Sequence, residues 1–231
     1  LLTHGFFKAG MFLGAGSVMH GMNDEVNMRK YGALRVAMPI TAITFGLGYL
    51  AIIGIPPFAG FYSKDKLIEV ALNAGGIKGL LLGGAALIGA GITAFYMTRV
   101  VVLTFAGKAR WDHEAHPHES PSLMVIPMIL LAFGSVASGY LLTRGDALVK
   151  WLEPVVAPHH GEHHEELYSP LTISIVALTL VAIGVLTAVM KYRGEVSNSA
   201  PENVSVFTKI ARQDLMQDAF NEAVFMRTGQ A

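Results

Sequence analysis

The sequence predicts an all-α integral membrane domain of about five transmembrane helices, one of them interrupted, followed by a polar segment. Three observations carry that expectation. Hydrophobic residues make up 52% of the 231 and charged residues only 15%, where a soluble domain carries about a quarter charged. Five apolar stretches follow one another, each near the roughly 20 residues that a helix needs to cross a bilayer core. Prolines and glycines crowd into one of those stretches, where a regular helix could not continue.

The remaining totals exclude whole classes. Mean hydropathy is +0.48. Formal net charge is zero, so no basic excess points to nucleic acid as a partner. The absence of cysteine rules out disulfides and cysteine-ligated iron–sulfur centres within this chain. The chain opens inside an apolar run at Leu1 with no initiating methionine. We therefore expect a piece of a longer polypeptide.

The first span is read at 1–22. The second is read at 36–60, the third at 77–105, the fourth at 122–143 and the fifth at 170–190. The fifth is the clearest, because 171–190 holds no charge and Lys191 and Arg193 follow at once. Basic residues set direction by the positive-inside rule. Arg29, Lys30 and Arg35 follow the first span, Lys108 and Arg110 the third, and Lys191, Arg193, Lys209 and Arg212 the fifth. Those three segments are expected on the cytoplasmic side, against Lys78, Arg144 and Lys150 on the other. The spans thus group as a transmembrane bundle over 1–190, with a polar cytoplasmic-side segment over 191–231.

Small residues four apart, as in Gly10–Gly14 and Gly79–Gly83, suit close helix approach in lipid. Gly89, Gly91 and Ala94 satisfy a dinucleotide-binding pattern, but no strand precedes them, so they are read as packing. In the polar segment Val206, Phe207, Ile210, Phe220 and Val224 are expected to line short surface helices. Asp214, Asp218 and Glu222 would then form a solvated acidic stripe.

Two constellations do not belong in lipid. His4 and Lys8 are four apart and share one face of a helix. At 1.5 Å per residue, Lys8 lies roughly 18–22 Å from the far end of its span. A lysine so placed costs about 3 kcal/mol or more on insertion scales and normally faces a polar path or a partner. Burial lowers a lysine's pKa, so a buried Lys8 becomes a switchable base with His4 as relay; arginine would stay charged throughout. The alternative is a lysine snorkelling to the interface.

The second constellation is Gly54-Ile-Pro56-Pro57-Phe-Ala-Gly60-Phe-Tyr-Ser-Lys64-Asp65. Apolar sequence continues beyond it to Ile68 and Leu72, which reads as an interrupted helix of the kind transporters use to expose backbone groups. Lys64 and Asp65 are expected to form a charge pair beside the break. An external loop is the competing reading, since 36–56 is already long enough to cross. Arg99 suits snorkelling at least as well as function. Seven of the nine histidines (His113, His116, His118, His159, His160, His163, His164) lie in two loops. Their spacing matches no standard zinc pattern, so solvated loops are expected and no metal site.

These constellations, in this order, resemble the antiporter-like L subunit of bacterial respiratory complex I, NADH:quinone oxidoreductase, over essentially the whole chain. The segment Gln217-Asp-Ala-Phe-Asn-Glu-Ala-Val-Phe-Met226 adds to the likeness. The resemblance implies that Lys8 is the central proton-carrying lysine of the second half-channel, with His4 its relay neighbour. It implies that Lys64, with Asp65, is the terminal residue on the broken helix, from which protons leave. It implies a multi-pass protein of the bacterial plasma membrane and the C-terminal part of its subunit. Neighbouring antiporter-like and other membrane subunits would be partners, with lipid and protons. No cofactor would sit in this chain; flavin mononucleotide and iron–sulfur clusters would sit in partner subunits. The first antiporter repeat, with its glutamate–lysine pair, and the long lateral helix have no counterpart in these residues. Two other readings stay open: the large subunit of a multi-subunit Na⁺/H⁺ antiporter, and a structural membrane scaffold.

Overall fold

A computed structural model of the chain describes residues 1–112, 114–155, 167–194, 201, 203–213 and 216–226. Every regular element among them is helical. The chain divides into two compact units, Leu1–Val196 and Ser197–Ala231.

In the first unit α1 spans Leu2–Gly21, and a 3-10 turn, Met28–Lys30, leads to the short α2, Leu34–Ala37. Then come α3 (Pro39–Ile53), α4 (Ala59–Asn73), α5 (Gly76–Phe105) and α6 (Ser122–Thr143). A 3-10 turn, Arg144–Asp146, joins α6 to α7 (Ala147–Leu152), and α8 covers Pro170–Tyr192. Three of these helices, α5, α6 and α8, are long and apolar enough to cross a membrane. α1 has 20 residues, enough for the core thickness, but His4 and Lys8 dilute its apolar character.

The second expected span needs correction. It does not end at 60: α3 and α4 together carry it from Pro39 to Asn73, with the break at 54–58. Close contacts fix the direction of each piece. Gly14 lies against Phe45, and Gly48 against Met11 and the Phe7 carbonyl, so α3 runs antiparallel to α1. Gly10 meets Leu131 and Gly134 meets Phe6, so α6 is antiparallel to α1 as well. Further along α6, Gly139 meets Ala59 and Tyr62 at the start of α4. α4 thus continues in the direction of α3. It ends where Leu72 packs on Gly83, near the start of the antiparallel α5. One broken crossing lies alongside α5, so 61–73 is no external loop.

Small residues bring α5 and α8 together in parallel: Gly91 meets Leu180, and Gly184 meets Gly91 and Ala94. Of the dinucleotide-like residues, Gly91 and Ala94 therefore serve packing, whereas Gly89 has open space beside it. At one end of the bundle the two basic loops are joined. Gly32 N–H donates to the Thr104 carbonyl at 3.3 Å and Ala33 N–H to the Ala106 carbonyl at 3.0 Å. The Arg110 side chain donates to the carbonyls of Arg29 at 2.8 Å and Leu103 at 2.7 Å.

The second unit contains α9 (Val206–Arg212), α10 (Gln217–Asn221) and a π-helical turn, Glu222–Met226. Val206, Phe220 and Val224 are exposed on these short elements. Asp218 lies in α10, and Glu222 opens the π turn that follows it directly. Asp214 lies outside the described residues, as do His113, His159, His160, His163 and His164.

Candidate functional site: a cavity at the helix break

The break is built from the backbone upward. Gly54 closes α3 in the left-handed region, φ 81°. Its N–H donates to the Ala51 carbonyl at 3.0 Å, and that of Ile55 to Leu50 at 3.1 Å, the paired pattern of a Schellman C-cap. Pro56 and Pro57 have no N–H to offer a further turn. Phe58 is extended, and α4 starts at Ala59. Gly60 then passes so near α3 that a Cβ there would lie 1.8 Å from the Ala51 carbonyl oxygen. Glycine is required at that crossing point.

Beside the break lies a cavity of about 370 Å³ whose lining includes His4 and Lys8 of α1, Ser63 and Lys64 of α4, and Thr93 and Tyr96 of α5. The sequence nominated His4, Lys8 and Lys64 from separate helices, and all three line this one space. The Lys64 stem passes over Gly54, its Cδ 3.4 Å from where a Cβ would stand. Its Nζ is buried and has no hydrogen-bond partner among the described residues.

Two expectations fail in detail. Lys64 and Asp65 are not hydrogen-bonded to each other; the Asp65 carboxylate instead accepts from Ser174 Oγ of α8 at 2.6 Å. Consecutive helical side chains do not face the same way, so Lys64 turns to the cavity and Asp65 to α8. Lys8, expected to be buried, is exposed on this chain. α3 and α6 cover the face of α1 that carries Phe7, Gly10, Met11 and Gly14, leaving the lysine on the uncovered side. Its Nζ sits 5.8 Å from the centroid of the Phe12 ring. The His4 ring stacks on Phe7 with centroids 5.2 Å apart.

Ser63, Thr93, Tyr96 and Ser174 were not singled out from sequence. Hydroxyls in membrane helices commonly bond their own helix backbone, so nothing in their spacing marks them. Arg99 sits with its guanidinium carbon 5.5 Å from the centroid of the Tyr192 ring at the end of α8, in keeping with snorkelling. Among the described residues no three metal-ligating side chains converge.

A second polar cluster lies at the basic end. Glu119 receives the Ile40 N–H at 2.8 Å and the Thr41 N–H at 3.3 Å, placing an anion at the start of α3, where the helix dipole favours it. The Thr41 hydroxyl also donates to that carboxylate. Ser17 Oγ is 2.7 Å from both Thr41 Oγ1 and Ser120 Oγ.

A broken helix, a buried lysine amine beside the break and a bundle of apolar crossings mark the chain as a multi-pass membrane protein. Residues 1–93 match the membrane family described as NADH:quinone oxidoreductase/Mrp antiporter. The chain is similar to the NADH-quinone oxidoreductase subunit L of Mycobacterium tuberculosis, 58% identical over 99% of this chain and 36% of the relative. The subunit L of Rhodobacter capsulatus is 45% identical over 70% of this chain and 24% of the relative. The NAD(P)H-quinone oxidoreductase chain 5 of Picosynechococcus is 39% identical over 83% and 33%. The chain thus spans about a third of the length of the first relatives it matches.

Proposed function

We propose that this chain is part of the membrane L subunit of a proton-pumping NADH:quinone oxidoreductase, and that His4, Lys8 and Lys64 carry protons through it, with Asp65 setting the charge beside Lys64. The observation that carries the reading is the shared cavity of His4, Lys8 and Lys64, with the Lys64 amine buried away from protein acceptors. Groups that exchange protons through water must face one polar space, and a water there needs two or more polar partners. Ser63, Thr93 and Tyr96 supply hydroxyls around the same space. Redox chemistry belongs to flavin and iron–sulfur subunits, and coupling arrives as a change of charge in neighbouring membrane subunits. Residues 1–190 form the membrane bundle of a bacterial inner-membrane protein, with the joined basic loops and the segment after 190 on the cytoplasmic side. The remainder of the subunit covers the exposed face of α1 and encloses Lys8.

The test is the proton-to-electron ratio in inside-out vesicles carrying variants of the full-length parent. Lys8→Ala and Lys64→Ala should each cut pumping severalfold. Lys8→Arg should fail as well, because arginine does not release its proton. A normal ratio in all three would overturn the reading. The family description also covers Mrp antiporters, so a Na⁺/H⁺ antiporter subunit is the second reading. Co-purification of the parent with flavin and iron–sulfur subunits supports the oxidoreductase; a small set of membrane-only partners supports the antiporter.

A further inference from the structure

The hydroxyl groups of α8 behave in two ways. Thr179 and Thr187 donate to their own helix, to the carbonyls of Ile175 at 2.7 Å and Ile183 at 2.8 Å, as is usual for hydroxyls in membrane helices. Ser174 does not. It reaches across to α4 and donates to Asp65 Oδ2 at 2.6 Å. The contact lies beside an apolar cluster in which Ile173 and Ala177 of α8 pack with Ile68 and Leu72 of α4.

Among the described residues, no other ionised group competes for this carboxylate from the facing helices. Within Pro39–Ile53, Ser122–Thr143 and Pro170–Met190 the sequence has no acidic or basic residue. α1 brings His4 and Lys8, which face the cavity; α5 brings Lys78 and Arg99, with Tyr96 at the cavity. On α4 itself Lys66 is paired with Glu69 at 2.6 Å. Among the described residues, the cation adjacent to Asp65 and left without a hydrogen-bond partner is Lys64.

We infer that Ser174 is a positioning residue that holds the Asp65 carboxylate on the α8 side, apart from the Lys64 amine. The inference rests on the proposed role of Lys64 in proton transfer. With the serine bond made, Lys64 faces the cavity unpaired and can release its proton to it. With the bond broken, a side-chain rotation brings the carboxylate toward Lys64, and the ion pair holds the lysine in its charged form. The serine thus biases a two-position carboxylate toward the state in which the lysine discharges.

The test uses the full-length parent in its native membrane assembly, with pumping measured as a function of pH. Ser174→Ala should move the alkaline limb of the profile upward by about one pH unit, the size of effect a nearby opposite charge has on a pKa. Ser174→Thr, which restores the donor, should return it. In an Asp65→Asn background, Ser174→Ala should have no further effect on the profile. Ser174→Cys, a far weaker donor of similar size, replaces Ser174→Ala if that variant does not assemble. A wild-type profile in the donor-less variant, with Lys64→Ala still abolishing pumping, would overturn the positioning role alone. Normal pumping by Lys64→Ala would overturn the reading beneath it as well.

Discussion

The Arg110 guanidinium gathers the carbonyls of Met28, Arg29, Leu103 and Lys108. A planar fork with five donors can do this, and a lysine ammonium cannot. Burial pushes the guanidinium below its ordinary range, yet it stays charged at any physiological pH. Arg110→Lys should therefore loosen the joined loops although the charge is kept, read as faster amide exchange at Gly32 and Ala33. Glu25 and Lys30 form an ion pair at 2.6 Å in the same region. The hydrogen bond between them holds Glu25 below the usual carboxylate range and raises Lys30. A depressed carboxylate stabilises above its unfolded pKa and loses that contribution as pH falls through its folded one. A raised lysine contributes below its unfolded pKa and loses its share as pH rises through the folded value. The loop should accordingly become more protease-sensitive below about pH 4, and Glu25→Gln should remove that acid dependence. His4, Lys8 and Lys64 were legible in the sequence because charge in an apolar run is costly wherever it points. The direction of Asp65 was not, because its partner lies 109 residues away in a helix whose lone serine looks like any other.

At the scale of elements, the break was legible from two prolines and two glycines within 54–60. Its length was not. Composition cannot tell a crossing that resumes from a loop that leaves, whereas the contacts of Ala59, Tyr62 and Leu72 with α6 and α5 can. The two glycines should respond differently to a methyl group. Gly54→Ala forces an L-residue into the left-handed region and should cost about 1 kcal/mol. Gly60→Ala drives a Cβ into the Ala51 carbonyl and should cost about 1–3 kcal/mol as the backbone moves apart. Thermal unfolding of the detergent-solubilised parent should rank Gly60→Ala below Gly54→Ala. The reverse order would mean that the close approach at Gly60 yields more readily than the backbone at Gly54.

At the scale of the molecule, alternation of spans and basic loops made the direction of each crossing legible. The joined loops put 23–35 and 106–112 at one end of the bundle, as the charge pattern requires. With single cysteines in a cysteine-free parent, Val26→Cys and Ala109→Cys should label from the same face of the membrane, and Ile77→Cys from the other. Labelling of Val26→Cys and Ile77→Cys from one face would refute this topology. What composition could not show is which parts of the chain complete one another. The carboxylate that satisfies the first N–H groups of α3 comes from Glu119, 79 residues after Ile40. A nascent chain leaves the ribosome in order, so α3 enters the bilayer with those groups dependent on water or headgroups. Its entry point is secured only once the segment before α6 has been synthesised, which makes insertion of the third crossing a precondition for final seating of the second.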